Sequence, residues 1–488
     1  VLLMPVLVLL LGPAVVQAQA PPPLPTFGPN TYNVTVSNSN VDGGATAVAG
    51  TGSNNAAANT TVINDYINYC SQNGGGTVDI PAGQTYVANE LLLSNNVDLQ
   101  VDGTLLNGTS TATFISTAAN ATINIGISGS GVINNAATTT SDNKMIYIPG
   151  VTNVAVTGIT VENAPNEHLC PECCNNVTIN GVTINDPLGF QSDTDGIDFS
   201  GNNFLIENCN IADGDDDIVA KADTNVEHGI TAATSNIVIK NDTITAGHGI
   251  SIGGTTTAGV NGMYVANCTL STGGSGTIED AIHLKAGDGS TSTYQNGGTV
   301  QNVTFNGITI KNVDDGLVID SFYNADGSNY PPTPSASAPF PAAPTDATEP
   351  LWKNITFENI NITGISANAA NIYGLNSSPP NTDGLNFKNI GITSAGHPWD
   401  MYYAADVYMN GVTVNGVTIP DSLDNAENSS GSLESQEYAD TFDTSANPIY
   451  NPTPEPASPC LLAAAALYPL SRRGRSRGGR RSPQIAAR

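Results

Sequence analysis

The sequence predicts an all-β chain wound as a right-handed, single-stranded parallel β-helix, closed at its N-terminal end by a short helix. Three observations predict it. Short β-branched runs recur, each introduced by Asn: Asn153-Val-Ala-Val, Asn176-Val-Thr-Ile, Asn203-Phe-Leu-Ile and Asn236-Ile-Val-Ile, with starts 23, 27 and 33 residues apart. A drifting period of this size is the mark of stacked repeats. Each repeat carries a second run after a turn, as in Val177-Thr-Ile-Asn-Gly-Val-Thr-Ile, so one coil supplies more than one strand. Composition agrees: 12% of the 488 residues are charged and 6% aromatic, which excludes a helical bundle, while the recurring apolar runs exclude disorder.

Parallel strands need a neighbour to complete their ladder, and a coil provides the next coil. Asn at each corner tolerates left-handed backbone and can hydrogen-bond up and down the stack. Further copies of the run fall at Met263-Tyr-Val, Asn302-Val-Thr-Phe, Asn354-Ile-Thr-Phe, Asn386-Phe-Lys-Asn and Val412-Thr-Val. The rival is a β-sandwich, which would show hairpin turns. Asn180-Gly, Asn306-Gly, Asn410-Gly and Asn415-Gly do occur, but they fall between paired runs and read as corners of the coil.

The elements follow in order. Leu2 to Val16 is apolar but too short to span a bilayer, and Val16-Gln17-Ala18 and Ala18-Gln19-Ala20 both read as cleavage sites. Residues 1–20 are therefore expected to be a signal peptide and the protein to be exported. In Thr60 to Tyr69 and just beyond, Val62, Ile63, Tyr66, Ile67 and Cys70 recur at helical spacing before Gly74-Gly75-Gly76, which predicts the capping helix that an open solenoid end needs. The helix body should occupy 21–420, interrupted between Asp320 and Pro350 by a loop rich in Pro, Ser and Ala. Residues 421–456 read as an acidic linker. Pro454-Glu455-Pro456, the apolar stretch from Ala457 to Leu470 and an arginine cluster close the chain. That order resembles the PEP-CTERM tail of bacteria, which implies envelope sorting machinery as a partner for residues 457–488.

Charge narrows the partners. All seven arginines lie between Arg472 and Arg488, so the rest of the chain sets seven lysines against all 43 acidic residues. Such a body repels nucleic acid and anionic membranes. It is also an awkward host for a polyanionic sugar. Seven cysteines are present, and Cys170-Pro171-Glu172-Cys173-Cys174 is their single cluster. With His168 as the nearest fourth ligand and no second C-x-x-C, a local disulfide or buried thiols is a better reading than zinc.

The chemistry-bearing motifs lie on successive coils: Asp193-Thr194-Asp195, Gly214-Asp215-Asp216, Gly247-His248-Gly249-Ile250-Ser251-Ile252-Gly253, and Ile282-His283-Leu284-Lys285. Stacked strands lie about 4.8 Å apart, so residues one coil apart become neighbours. Asp215 and Asp216 point to opposite faces of a regular strand, so both serve one site only if the backbone bends, and Gly214 permits a bend. Asp213 to Asp217 also reads as a calcium loop, but no Glu or regular D-x-D spacing completes one. His248 between two glycines, Lys285 and Tyr323 each have a plainer reading: a loop histidine, a solvated lysine and a packed aromatic.

Taken together and in order, these motifs resemble the polygalacturonase family of glycoside hydrolases, family 28, with its N-T-D, G-D-D, G-H-G and R-I-K signatures. The resemblance runs from about Thr77 to Thr418, and Ile319-Asp320-Ser321-Phe322-Tyr323 is similar to the segment that supplies a substrate-binding tyrosine. It implies inverting hydrolysis of a polysaccharide, without cofactor or metal and in a monomer. Asp215 would be the general acid, Asp195 and Asp216 would hold and deprotonate the attacking water, and His248 would tune the acid. His283, Lys285 and Tyr323 would bind the sugar. An inverting pair needs carboxylates roughly 6.5 to 9.5 Å apart, and clustered carboxylates cannot all ionise, so one keeps a proton.

Two residues depart from the signatures. Asp193 stands for Asn, and His283 stands for an Arg whose two-pronged bond to a sugar carboxylate His cannot reproduce. The glycan is thereby left open among homogalacturonan, a rhamnogalacturonan-type chain and neutral glycans. A β-helical lyase uses a basic residue, often Arg, and the body has none. A non-catalytic β-helix, such as an adhesin, would have no use for three aspartates and His248.

Overall fold

The computed structural model describes residues 20–418, apart from 109–111, 136–142, 187–192, 223–231, 273–276, 287–296, 322, 324–349, 375–381, 394–399, 403 and 406. The expected signal peptide, the acidic linker, the sorting tail and most of the 320–350 loop lie outside the described residues.

The chain forms the expected parallel β-helix. One coil runs through Thr152–Thr157, Thr160–Glu162 and Leu169–Glu172, and the next through Cys174–Asn180, Thr183–Asn185 and Ile197–Phe199. Each strand pairs in parallel with its counterpart one coil away, as in Val154 with Val177, Val161 with Ile184, and Leu169 with Ile197. Eleven strands from Leu91–Leu93 to Asp400–Tyr402 stack into one long sheet that carries the motifs. Its inner column Ile197, Ile218, Ile250, Ile282 and Leu317 is wholly buried, so every coil adds one apolar side chain to a continuous core. Phe305, Phe357 and Phe387 stack above one another at 5.4 and 5.2 Å, and each such contact contributes about 1 kcal/mol beyond area burial.

The asparagines do at the corners what their spacing predicts. Asn96, Asn124, Asn153, Asn176 and Asn203 all hold φ between 54° and 66°. Each amide from Asn124 to Asn203 donates to the side-chain oxygen of the asparagine one coil earlier, at 2.7–3.0 Å. A second ladder joins Asn306, Asn359 and Asn389. The left-handed turn and the ladder bond together explain why Asn, and not Gly, opens each run.

The capping helix α1 spans Ala56–Gln72, longer at both ends than the predicted Thr60 to Tyr69, and buries Val62, Ile63, Tyr66, Ile67 and Cys70 on the first coil. Gly74 and Gly75, at φ 95° and 80°, turn the chain out of it. One corner was misread. Asn415-Gly416 is a hairpin turn, with Thr413–Val414 antiparallel to Val417–Thr418. The described helix ends there, and among the described residues the last strand pairs with no later coil but folds back on its neighbour. The cysteine cluster forms no disulfide, and Cys174 donates to the Ile148 carbonyl at 3.1 Å.

Candidate active site

The motifs meet on the outer face of the long sheet. Parallel register sets Ile197 beside Ile218, Ile218 beside Ile250, and Ile250 beside Ile282, which brings the residues leading into each strand side by side. The bend expected at Gly214 is present. The Gly214 N–H donates to the Thr194 hydroxyl at 3.1 Å, and the Asp193 N–H donates to Asp215 Oδ2 at 3.0 Å. Asp193, at φ 65°, keeps the left-handed conformation that Asn or Asp adopts most readily, so the departure from N-T-D leaves this link intact.

The bend lets two adjacent carboxylates serve one surface. Asp215 Oδ1 lies 3.1 Å from His248 Nδ1. Asp216 Oδ2 lies 2.8 Å from Lys285 Nζ, and its Oδ1 accepts the Ser251 hydroxyl at 2.6 Å. Asp195 is the third member, 3.7 Å from Lys221 Nζ. All three aspartates are 3% exposed or less, so each charge must be matched within the site.

The matching is unequal. Burial drives the Asp195 carboxyl well above the usual range; Lys221 opposes it, while Asp215 and Asp216 reinforce it. Burial also pushes Asp215 and Asp216 up, but their cations win. The His248 imidazolium brings Asp215 below its ordinary value, and Lys285, Lys221 and His248 do the same for Asp216. His248 itself loses by burial and gains more from Asp215, ending at about 10. The site therefore sets one carboxyl raised above its ordinary range, Asp195, beside two held below theirs and a histidine raised to about 10. The expectation that one clustered carboxyl keeps its proton points to Asp195, the one of the three whose carboxyl is raised rather than lowered. The sequence-based assignment of Asp215 as the acid requires the proton that here sits on His248, one hydrogen bond away.

The predicted sugar-binding residues are adjacent and deeply set. His283 Nδ1 lies 2.9 Å from Asp280 Oδ2. Lys285 Nζ sits 5.1 Å from the centre of the Tyr323 ring, whose edge meets His283. Tyr323 is 1% exposed and contacts both Lys285 and His283.

Sequence reasoning missed three members. Lys221 faces Asp195 and Asp198; Glu279 approaches His248 Nε2 at 3.4 Å; Ser251 holds Asp216. A signal for Lys221 was present. Ile218-Val-Ala-Lys221 repeats Ile282-His-Leu-Lys285, and the register of those isoleucines puts the two lysines in one column two coils apart. The ligand atoms of Asp215, Asp216 and His248 lie within 4.8 Å of one another; Lys285 and the imidazolium already supply positive charge there. His168, considered with the cysteines, instead pairs with Asp186 at 3.0 Å.

Residues 70–409 match the family described as Glycosyl hydrolases family 28. A probable polygalacturonase of Arabidopsis thaliana is 32% identical over 283 residues, 53% of this chain and 56% of its own length, and a polygalacturonase of Medicago sativa is 26% identical over 67% of this chain and 77% of its own. The chain thus spans about half the length of the Arabidopsis relative. An exopolygalacturonase structure from Thermotoga maritima shares the fold, with a TM-score of 0.61, 16% identity, and coverage of 82% of this chain and 94% of that one. With the family match extending over most of the described β-helix and enclosing every motif of the site, the chain belongs to family 28 of the glycosyl hydrolases.

Proposed function

We propose that this chain is an exported, polygalacturonase-type hydrolase that cleaves O-glycosidic bonds of a pectic or related polysaccharide with inversion. One observation carries the reading: on a single sheet face, Asp215 and Asp216 each hold a dedicated cation, with the buried Asp195 beside Lys221. A purely adhesive surface has no use for three buried acids whose carboxyls are shifted in opposite directions.

In this reading Asp216, held ionised by Lys285, takes a proton from the attacking water as its oxygen bonds to the anomeric carbon. Asp195 orients that water through its carboxyl. Asp215 passes a proton to the leaving oxygen as the glycosidic bond breaks, and His248, bonded to Asp215 at 3.1 Å, supplies that proton. The sequence-based scheme gave Asp195 and Asp216 together the holding and deprotonation of the water; here the two roles are divided and Asp216 is the base.

The sugar carries modest charge in this proposal. Lys285 and Lys221 are both engaged with site aspartates, and His283 with Asp280, so a dense polyuronate would meet acids at least as often as cations. Residues 1–20 as an export signal and 457–488 as a PEP-CTERM-like sorting tail complete the proposal. The test is release of reducing ends from polygalacturonate, rhamnogalacturonan and neutral glycans, with the anomer of the first product read by NMR. Hydrolysis of at least one with inverted configuration supports the reading; retention, unsaturated products or inertness across the panel overturns it.

A further inference from the structure

We propose that Asp213 and Asp217, the acids on either side of the catalytic pair, are positioning residues that carry one proton between them and clamp the Asp215–Asp216 bend against the His248 loop. The inference rests on the catalytic reading of that bend. Both side chains are buried, at 1% and 0% exposure. Asp213 Oδ1 accepts the Asp215 N–H at 3.1 Å, and Asp217 Oδ2 accepts the Gly249 N–H at 2.8 Å. One acid thus fixes the backbone of the bend, and the other ties the bend to the residue after His248.

The two carboxyls converge on one spot. A Cβ on Gly247 would lie 2.5 Å from Asp217 Oδ2 and 2.7 Å from Asp213 Oδ1, and a Cβ on Gly196 would lie 2.5 Å from Asp213 Oδ2. These two glycines are therefore the openings through which the acids reach the loops on either side. Asp213 Oδ2 and Asp217 Oδ1 meet no hydrogen-bond donor among the described residues. The charged groups facing them are mostly acids: Asp186 and Asp195 beside Asp213; Asp215, Asp216 and His248 beside Asp217. His248, the cation beside Asp217, is already shared with Asp215. Two buried anions at this spot would lack compensation. Burial pushes both carboxyls well up, Asp213 being raised further by Asp217 itself. While the pair holds its proton the clamp is closed; losing it at high pH sets like charges against each other and loosens the bend.

A protonated carboxyl and an amide have the same shape and an equivalent acceptor, which supplies the test. In the full chain, Asp213→Asn should keep kcat within about threefold at the optimum and move the alkaline limb up by about one pH unit, since the repulsion is gone. Asp213→Ala removes the acceptor and should lower kcat roughly 10- to 100-fold with KM unchanged. The infrared carbonyl band of protonated carboxylic acid at neutral pH should weaken in Asp213→Asn, a readout independent of turnover. An unmoved alkaline limb together with an unchanged band would overturn the shared proton, and wild-type kcat in Asp213→Ala would overturn the clamp. A chain inert on every glycan but with the expected loss of the infrared band would count against the catalytic reading and leave the shared proton standing.

Discussion

Replacing Lys285 by methionine tests the electrostatic core of the site. Lys285 is 1% exposed, and its ammonium lies 2.8 Å from the wholly buried Asp216. Removing one partner of such a pair costs about 3–5 kcal/mol, because the other charge is left uncompensated. Asp216 escapes by taking a proton, and at about 1.4 kcal/mol per pKa unit the penalty converts to a rise of roughly two to four units. Lys221 and His248 remain nearby, which favours the lower figure. Asp216 then titrates above its wild-type position instead of below the usual carboxylate range, and a smaller share of the enzyme keeps an ionised base in mild acid. Initial rates of reducing-end release between pH 4 and pH 9 should show the acid limb displaced upward by about two units. The sign for stability follows. A depressed Asp216 contributes stability above its unfolded value of 3.8 and loses it as pH falls through its folded value, so Lys285→Met should lose most stability near neutrality and least in acid. A variant whose pH profile parallels the wild type at uniformly lower activity would show that Lys285 serves only the sugar, and the reasoning would fail.

Other substitutions probe the remaining parts. Asp215→Asn should lower kcat by about 10²- to 10⁴-fold with KM changed little, as expected for a lost proton donor, measured by steady-state kinetics. Lys221→Met removes the charge that opposes protonation of Asp195, and should reduce kcat while raising the apparent pKa of the alkaline limb if protonated Asp195 orients the water. Asn176→Ala breaks ladder bonds to Asn153 and Asn203 and places alanine at φ 58°; thermal denaturation should report a loss of about 2 kcal/mol with activity per folded molecule unchanged. Incubation with a chelator should leave the rate unaltered, because Lys285 and His248 already compensate the aspartates.

Much of the fold was legible because a β-helix writes its period into the chain. Asn153, Asn176 and Asn203 mark corners, and both reasons for Asn act at the same position, the left-handed φ and the ladder bond. The strand Asn30–Asn33 was not foreseen, although it pairs in parallel with Gly76–Ile80 and begins the stack ahead of α1. Its Asn33-Val34-Thr35-Val36 resembles the other Asn-led runs, but it stands far from the regular spacing of the later coils and α1 lies between it and the next strand. Asn415-Gly416 was misread because dipeptides alike in sequence make a corner where another coil follows and a hairpin where the described stack ends.

The site was legible in its members but not in its protonation. Spacing names Asp195, Asp215, Asp216 and His248, and the parallel register obliges them to meet. What spacing cannot carry is which cation faces which acid, since Lys221 and Lys285 occupy one column and yet serve different aspartates. That pairing bears directly on the departure at His283. An arginine there would add a cation beside Asp280 with charge to share with a sugar carboxylate, whereas His283 is turned to Asp280 through Nδ1. The lysines stabilise the enzyme's own carboxylates. Because the same positive charge cannot both hold Asp216 ionised and neutralise a uronate at full strength, binding a uronate at Lys285 would weaken the base. A chain organised in this way is suited to cleaving beside a sugar whose carboxylate is absent or turned away, and that is where a panel of pectic and neutral glycans should place its preference.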